Sequence, residues 1–192
     1  MNAALFHNLM AIREKRIMPT DGLELYKPLN TTTHQGVPCV NLTSKGSIAI
    51  GRNDSLFTLS FWCNPDSTGR YMYALNGGSI NVNTAVMNNG RLRSHNYNPS
   101  LNLEIPDATG HWHFVLHMHD TVNKRLLLQI DDTIKTADGE FGHSSLSSTS
   151  SLSISNDDNF FSGYFAGLRL YSRALSDNER MALRHEFTPT ED

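Results

Sequence analysis

Four histidines crowd one ten-residue stretch, His111-Trp112-His113-Phe114-Val115-Leu116-His117-Met118-His119-Asp120. In a strand, successive side chains point to opposite faces. Trp112, Phe114, Leu116 and Met118 then share one face, and His111, His113, His117 and His119 the other. Two imidazoles two positions apart are able to share a zinc or nickel ion, or to respond to pH as a contact surface. His117 and His119 are so placed; a third ligand is not evident, because Asp120 alternates to the opposite face. The plainer expectation is a half-exposed polar sheet face. A second set, Asn156, Asp157, Asp158 and Asn159, offers oxygens suited to Ca²⁺ and equally suits a turn between strands. Cys39 and Cys63 sit in apolar, strand-like segments and read as two buried free thiols. Neither has the Cys or His companion that a zinc site requires.

Other chemistry is poorly represented. There is no Gly-x-Ser-x-Gly elbow and no Gly-rich phosphate loop with a lysine. The net charge is -3, and the longest basic cluster is Arg13, Lys15 and Arg16, which is too small to track phosphates. A nucleic-acid partner is not expected. No apolar run is long enough for a membrane span. Sugar recognition needs aromatic faces and amides at a rim or sheet face. Tyr71, Tyr73, Asn76, Asn96, Tyr97 and Asn98 are the candidates, and each also suits an ordinary strand or turn.

The elements that must position these residues follow from periodicity. Residues 1–18 read as a helical arm, with Leu5, Leu9 and Ile12 at three- and four-residue steps and basic residues at its end. Positive charge follows the apolar part, the wrong order for a secretory signal. Pro19 and Thr20-Asp21-Gly22 break the helix. A short helix needs something to pack on, either its own domain or a partner. Beyond it the period is two. Phe57, Leu59 and Phe61 oppose Thr58, Ser60 and Trp62, and Phe165, Gly167, Arg169 and Tyr171 oppose Ala166, Leu168 and Leu170. Asp131-Asp132 is read as a hairpin turn, and the Ser/Thr-rich residues 143–153 as a polar loop or edge strand. Ser176 and Glu179 form a capping box before a short C-terminal helix. Short alternating strands with frequent turn signals predict one all-β, two-sheet antiparallel jelly-roll sandwich over residues 19–187, with a short helix at each end and a fraying polar tail at 188–192.

Four segments carry a resemblance: Gly22-Leu-Glu-Leu-Tyr-Lys-Pro-Leu-Asn30, Leu56-Phe-Thr-Leu-Ser-Phe-Trp-Cys-Asn-Pro65, residues 109–132 around the Trp-His strand, and residues 160–180 with Tyr-Ser-Arg-Ala-Leu-Ser. Their order and spacing resemble the laminin G-like, concanavalin A-like lectin-glucanase superfamily. The resemblance implies a sandwich that binds glycans, proteins or lipids, with some relatives acting as glucanases. Those enzymes carry paired carboxylates on one strand, the geometry that retaining hydrolysis needs. No glutamate here has an acidic neighbour two positions away inside a strand. Calcium is common in the family, with an acidic ligand after a closing-strand glycine; Ala166 stands at that position. A non-catalytic binding or structural module without a cofactor is therefore expected. Single-domain relatives with helical arms resemble bacteriophage decoration or tail proteins. That implies a virion component assembled in the host cytoplasm, with homo-oligomer or other virion-protein partners docked through Leu5, Leu9 and Ile12. The alternative is a soluble carbohydrate-binding lectin.

Overall fold

The computed structural model describes residues 18–27, 30–42, 46–49, 56–68, 70–77, 80–86, 89–97, 100–139, 151–154 and 162–190. The expected arm with Leu5, Leu9 and Ile12 lies outside them, as do Asn98, Asp157 and Asp158. Among these described residues fourteen strands and one helix follow in order: β1 (Leu23–Lys27), β2 (Thr32–His34), β3 (Val37–Leu42), β4 (Gly46–Ala49), β5 (Phe57–Pro65), β6 (Arg70–Gly77), β7 (Ile80–Val86), β8 (Leu92–Tyr97), β9 (Ser100–Ile105), β10 (His113–Asp120), β11 (Arg125–Ile130), β12 (Thr133–Asp138), β13 (Ser151–Ile154), β14 (Gly163–Tyr171) and α1 (Asp177–Arg184). One sheet has eight strands in the order β12-β11-β10-β5-β14-β3-β2, with β1 also on β14. The other has six, β4-β13-β6-β7-β8-β9. Every pairing in both is antiparallel.

The core lies between the sheets. Phe57, Leu59, Phe61 and Cys63 of β5, Leu126, Leu128 and Ile130 of β11, and Phe165, Leu168 and Leu170 of β14 meet Leu92, Leu101 and Leu103 of the smaller sheet. Burial of each large side chain stabilises the fold by about 1.5–3 kcal/mol. A second apolar layer covers the outer face of the large sheet. There Trp62, Phe114, Leu116, Met118, Leu127 and Tyr171 pack under Leu175 and Leu183 from the closing segment and α1. Both faces of β5 and β10 are therefore buried. Helix α1 begins on the expected capping box, with Ser176 and Glu179 capping each other's backbone. The thiols of Cys39 and Cys63 are free and lie in different layers.

Four expectations change. The histidine face is buried at His113, His117 and His119, the last two facing the six-stranded sheet, and is exposed only at His111, ahead of β10. The alternation of β14 shifts phase at Gly167, which takes φ +58 and interrupts the register against β5. Phe165 thus shares the inner face with Leu168 and Leu170, while Ala166 and Tyr171 face outward. That bend also lets one edge of β14 pair first with β3, through Gly163–Phe165, and then with β1, through Leu168–Tyr171. The Ser/Thr-rich stretch supplies an interior strand, since β13 pairs with both β4 and β6. The polar tail is docked up to Thr190, whose amide N–H donates to the Gln35 carbonyl.

Candidate functional site

Histidines 117 and 119 belong to a polar cluster sealed between the sheets. His117 Nε2 meets Thr84 Oγ1 at 3.3 Å and also meets Ser94 Oγ. His119 Nε2–H donates to the Asn96 side-chain oxygen at 3.0 Å, and its ring stacks on Phe57 at 4.5 Å. Burial, with the neighbouring His119 and His95 adding to it, pushes His117 down to about 3. Burial pushes His119 down to about 4. The two rings are neutral polar links from β10 to β7 and β8. Their Nε2 atoms are spent on different partners, and among the described residues no three His, Cys, Asp or Glu side chains could hold a metal ion.

Five of the six sugar-binding candidates lie on described strands of the six-stranded sheet. Tyr71, Tyr73 and Asn76 lie on β6, where they pair with Ala85, Thr84 and Asn81 of β7. Asn96 and Tyr97 end β8. Asn76 is five residues along the strand from Tyr71, roughly 17 Å at the usual rise. Asn96 cannot read a surface ligand: it is 1% exposed and its amide oxygen serves His119. The alternation Leu92, Ser94, Asn96, all inward, explains this, and it could have been read from the strand period.

A groove of about 790 Å³ opens instead at one end of the outer face of the large sheet. Trp62 and Trp112 line its apolar side, and Gln35, His111, Asp131, Arg184 and Thr190 its polar side. These residues come from six places: the β2–β3 turn, β5, the approach to β10, the β11–β12 hairpin, the end of α1 and the tail. Each is held by a specific contact. The indole N–H of Trp112 donates to the His34 carbonyl and that of Trp62 to the Leu183 carbonyl, both at 3.3 Å. Asn64 Nδ2 donates to Gln35 Oε1 at 3.0 Å. Asp131 Oδ1 accepts the Phe114 amide at 2.9 Å, and Oδ2 lies 2.7 Å from His113 Nδ1. Arg184 reaches Asp132 at 3.1 Å and lies over the Trp62 ring at 5.7 Å from its centroid. The tail forms the last wall. Phe187 sets its ring edge-on to Trp62 at 5.9 Å, and Glu186 grips Arg169 with both oxygens at 2.5 and 2.6 Å.

Two of the four left-handed non-glycine residues among those described line the same groove. Gln35 has φ 47 and Asp131 φ 52, two left-handed non-glycine residues beside Gly110 at φ 80. Such conformations cost of order 1 kcal/mol or more and tend to persist at functional sites. The volume suits a small oligosaccharide-sized ligand, since ligand sites span about 300–1,000 Å³. The indoles are buried and form the groove's apolar floor, and the imidazole, carboxylate and guanidinium at its polar side offer hydroxyls donors and acceptors. In the sequence His111 and Trp112 stand out in the histidine strand, Trp62 in an alternating strand and Asp131 in a hairpin turn, but none of them as a ligand contact. The rest come from turns whose convergence no local pattern announces.

Residues 34–179 match the model of the concanavalin A-like lectin/glucanases superfamily. The chain belongs to this superfamily. Solved structures of similar fold share little sequence with it. A carbohydrate-binding module of a Ruminococcus gnavus sialidase, bound to α2,3-sialyllactose, has 15% identity and a TM-score of 0.57, covering 83% of this chain and 98% of its own. A domain of an extracellular arabinanase from Geobacillus stearothermophilus, in complex with arabinotriose, has 19% identity and a TM-score of 0.53 over 71% and 69%. The heptameric pentraxin of Limulus polyphemus has 16% identity and a TM-score of 0.53 over 68% and 70%. A search of curated proteins finds no match. These likenesses establish the sandwich.

Proposed function

We propose that the chain is a non-catalytic carbohydrate-binding module whose ligand lies in the groove between Trp112, His111, Gln35 and Arg184. The convergence of six separate segments on one mixed apolar and polar cleft carries this reading. Two structures of similar fold, a carbohydrate-binding module and a domain of an arabinanase, were solved with saccharides, which is consistent with it. A role in an assembly, with Leu5, Leu9 and Ile12 as the docking stripe, rests on residues outside the described structure. Nothing in the fold or its relatives points to a virion.

A glycan array with the purified protein tests the reading. The wild type should give discrete hits, and His111→Ala with Gln35→Ala should remove them while thermal unfolding stays cooperative. Tyr71→Ala with Tyr97→Ala, on the six-stranded sheet, should leave the hits in place. Hits that survive the groove pair and vanish with the tyrosine pair would move the site to the other sheet. A blank array with folded protein would count against glycan binding altogether.

A further inference from the structure

The groove contains an arginine facing two carboxylates of very different standing. Asp131 is committed: both its oxygens are engaged, by the Phe114 amide and by His113, and its side chain is 26% exposed. Its distance to Arg184 Nε is 4.0 Å. Asp132 is loose: its side chain is 84% exposed, and it touches Arg184 only through Nη2, at 3.1 Å. Exposed pairs of this kind are weak, so solvent or a ligand exchanges them readily. The arginine is fixed where the aspartate is not. Its guanidinium lies over the Trp62 ring, its side chain is 21% exposed, and its Nε is buried without a hydrogen bond. Among the described groove-lining residues it is the one guanidinium, and no lysine lines the groove.

A planar guanidinium takes a carboxylate through two parallel hydrogen bonds, an arrangement stronger and more directional than one bond to a swinging side chain. We propose that Asp132 is a stand-in for a ligand carboxylate, and that the groove selects a carboxylated saccharide whose acid group displaces Asp132 from Arg184. The inference rests on the groove being the saccharide site. His111 and Thr190 then remain for ring hydroxyls. Asp132 acts as an internal competitor: it keeps the arginine paired when the groove is empty and sets a threshold that a neutral sugar gains nothing by crossing.

The test is a glycan array of neutral, sulfated, sialylated and uronate-bearing saccharides, followed by titration calorimetry on the strongest hit. Hits confined to carboxylated glycans are expected. Arg184→Ala and Arg184→Lys should each weaken the hit by about tenfold or more, the size of one charge-assisted hydrogen-bond pair. Asp132→Asn, which removes the competitor from an exposed position, should tighten it severalfold. Neutral or sulfated hits alone, or an Asp132→Asn variant that binds no better, overturn the carboxylate inference and leave the saccharide reading standing. A blank array with folded protein overturns both.

Discussion

Glycines 110 and 163 both hold backbone angles that side chains rarely adopt, yet they differ in what surrounds them. Gly110 sits at φ +80 with nothing near the position of a Cβ. Gly163 sits at φ +137, and a Cβ there would collide with the Asn64 carbonyl oxygen and lie 3.0 Å from Pro65 Cα. Gly110→Ala therefore meets only the backbone penalty, about 1–2 kcal/mol. Gly163→Ala adds a clash with the backbone of β5, which has no flexible end to give way, and should cost about 3 kcal/mol or more. Urea unfolding of the two variants checks this; equal midpoints would mean that β5 and β14 are not packed as closely as described. Asn96 shows the opposite kind of constraint. Its amide is buried against His119, and Asn96→Ala should cost about 1–3 kcal/mol by leaving the imidazole N–H without its acceptor. Asn96→Asp, which places a carboxylate in the same sealed space, should be worse.

At the scale of elements, α1 and the segment before it cover the outer face of the large sheet, and their anchors share one carboxylate. Glu179 closes the capping box with Ser176 and also takes Arg173 on both oxygens, at 3.0 and 2.5 Å. The Arg173 hydrogen bond, opposed by partial burial and aided by Ser176, holds its carboxyl down to about 2. Its folded value is below its unfolded one, so its contribution is present above about 4.5 and lost as pH falls toward 2. Ser176→Ala should cost about 1 kcal/mol. Glu179→Gln should cost more, because it loosens Arg173 from α1 as well. Identical losses for the two variants would show that the Arg173 link adds nothing. The capping box was legible in sequence because its two residues are three positions apart and act locally. So were the alternating faces of β5 and the Asp131-Asp132 hairpin. The phase of β14 was not, because a bulge at Gly167 depends on how β3, β1 and β5 share that strand. The groove was less legible still: Gln35, Asp131, Arg184 and Thr190 are ordinary turn and terminus residues until the fold brings them together.

The whole molecule rests on two sheets joined through apolar side chains and a few neutral polar contacts, and this makes its stability depend on pH. His117 and His119 have folded values of about 3 and about 4, against 6.5 for an ordinary imidazole. The unfolded chain thus binds protons that the native sandwich refuses. Stability is fully present above about pH 6.5 and is lost as pH falls through the window down to the folded values. With two such groups the loss reaches at most about 2.7 kcal/mol per pH unit in the middle of that window. Domains of this size hold only about 5–15 kcal/mol in total. The sandwich should therefore unfold cooperatively near pH 4 to 5, before either imidazole titrates in place, because charging one between the sheets also strands it beside Thr84, Ser94 and Phe57. Urea unfolding at pH 7, 6 and 5 would show the slope, and replacing both histidines by glutamine would flatten it while lowering stability at pH 7. A double variant as steep as the wild type would place the acid sensitivity elsewhere, and native histidine resonances that titrate near 6.5 in the folded protein would show that the six-stranded sheet does not seal them.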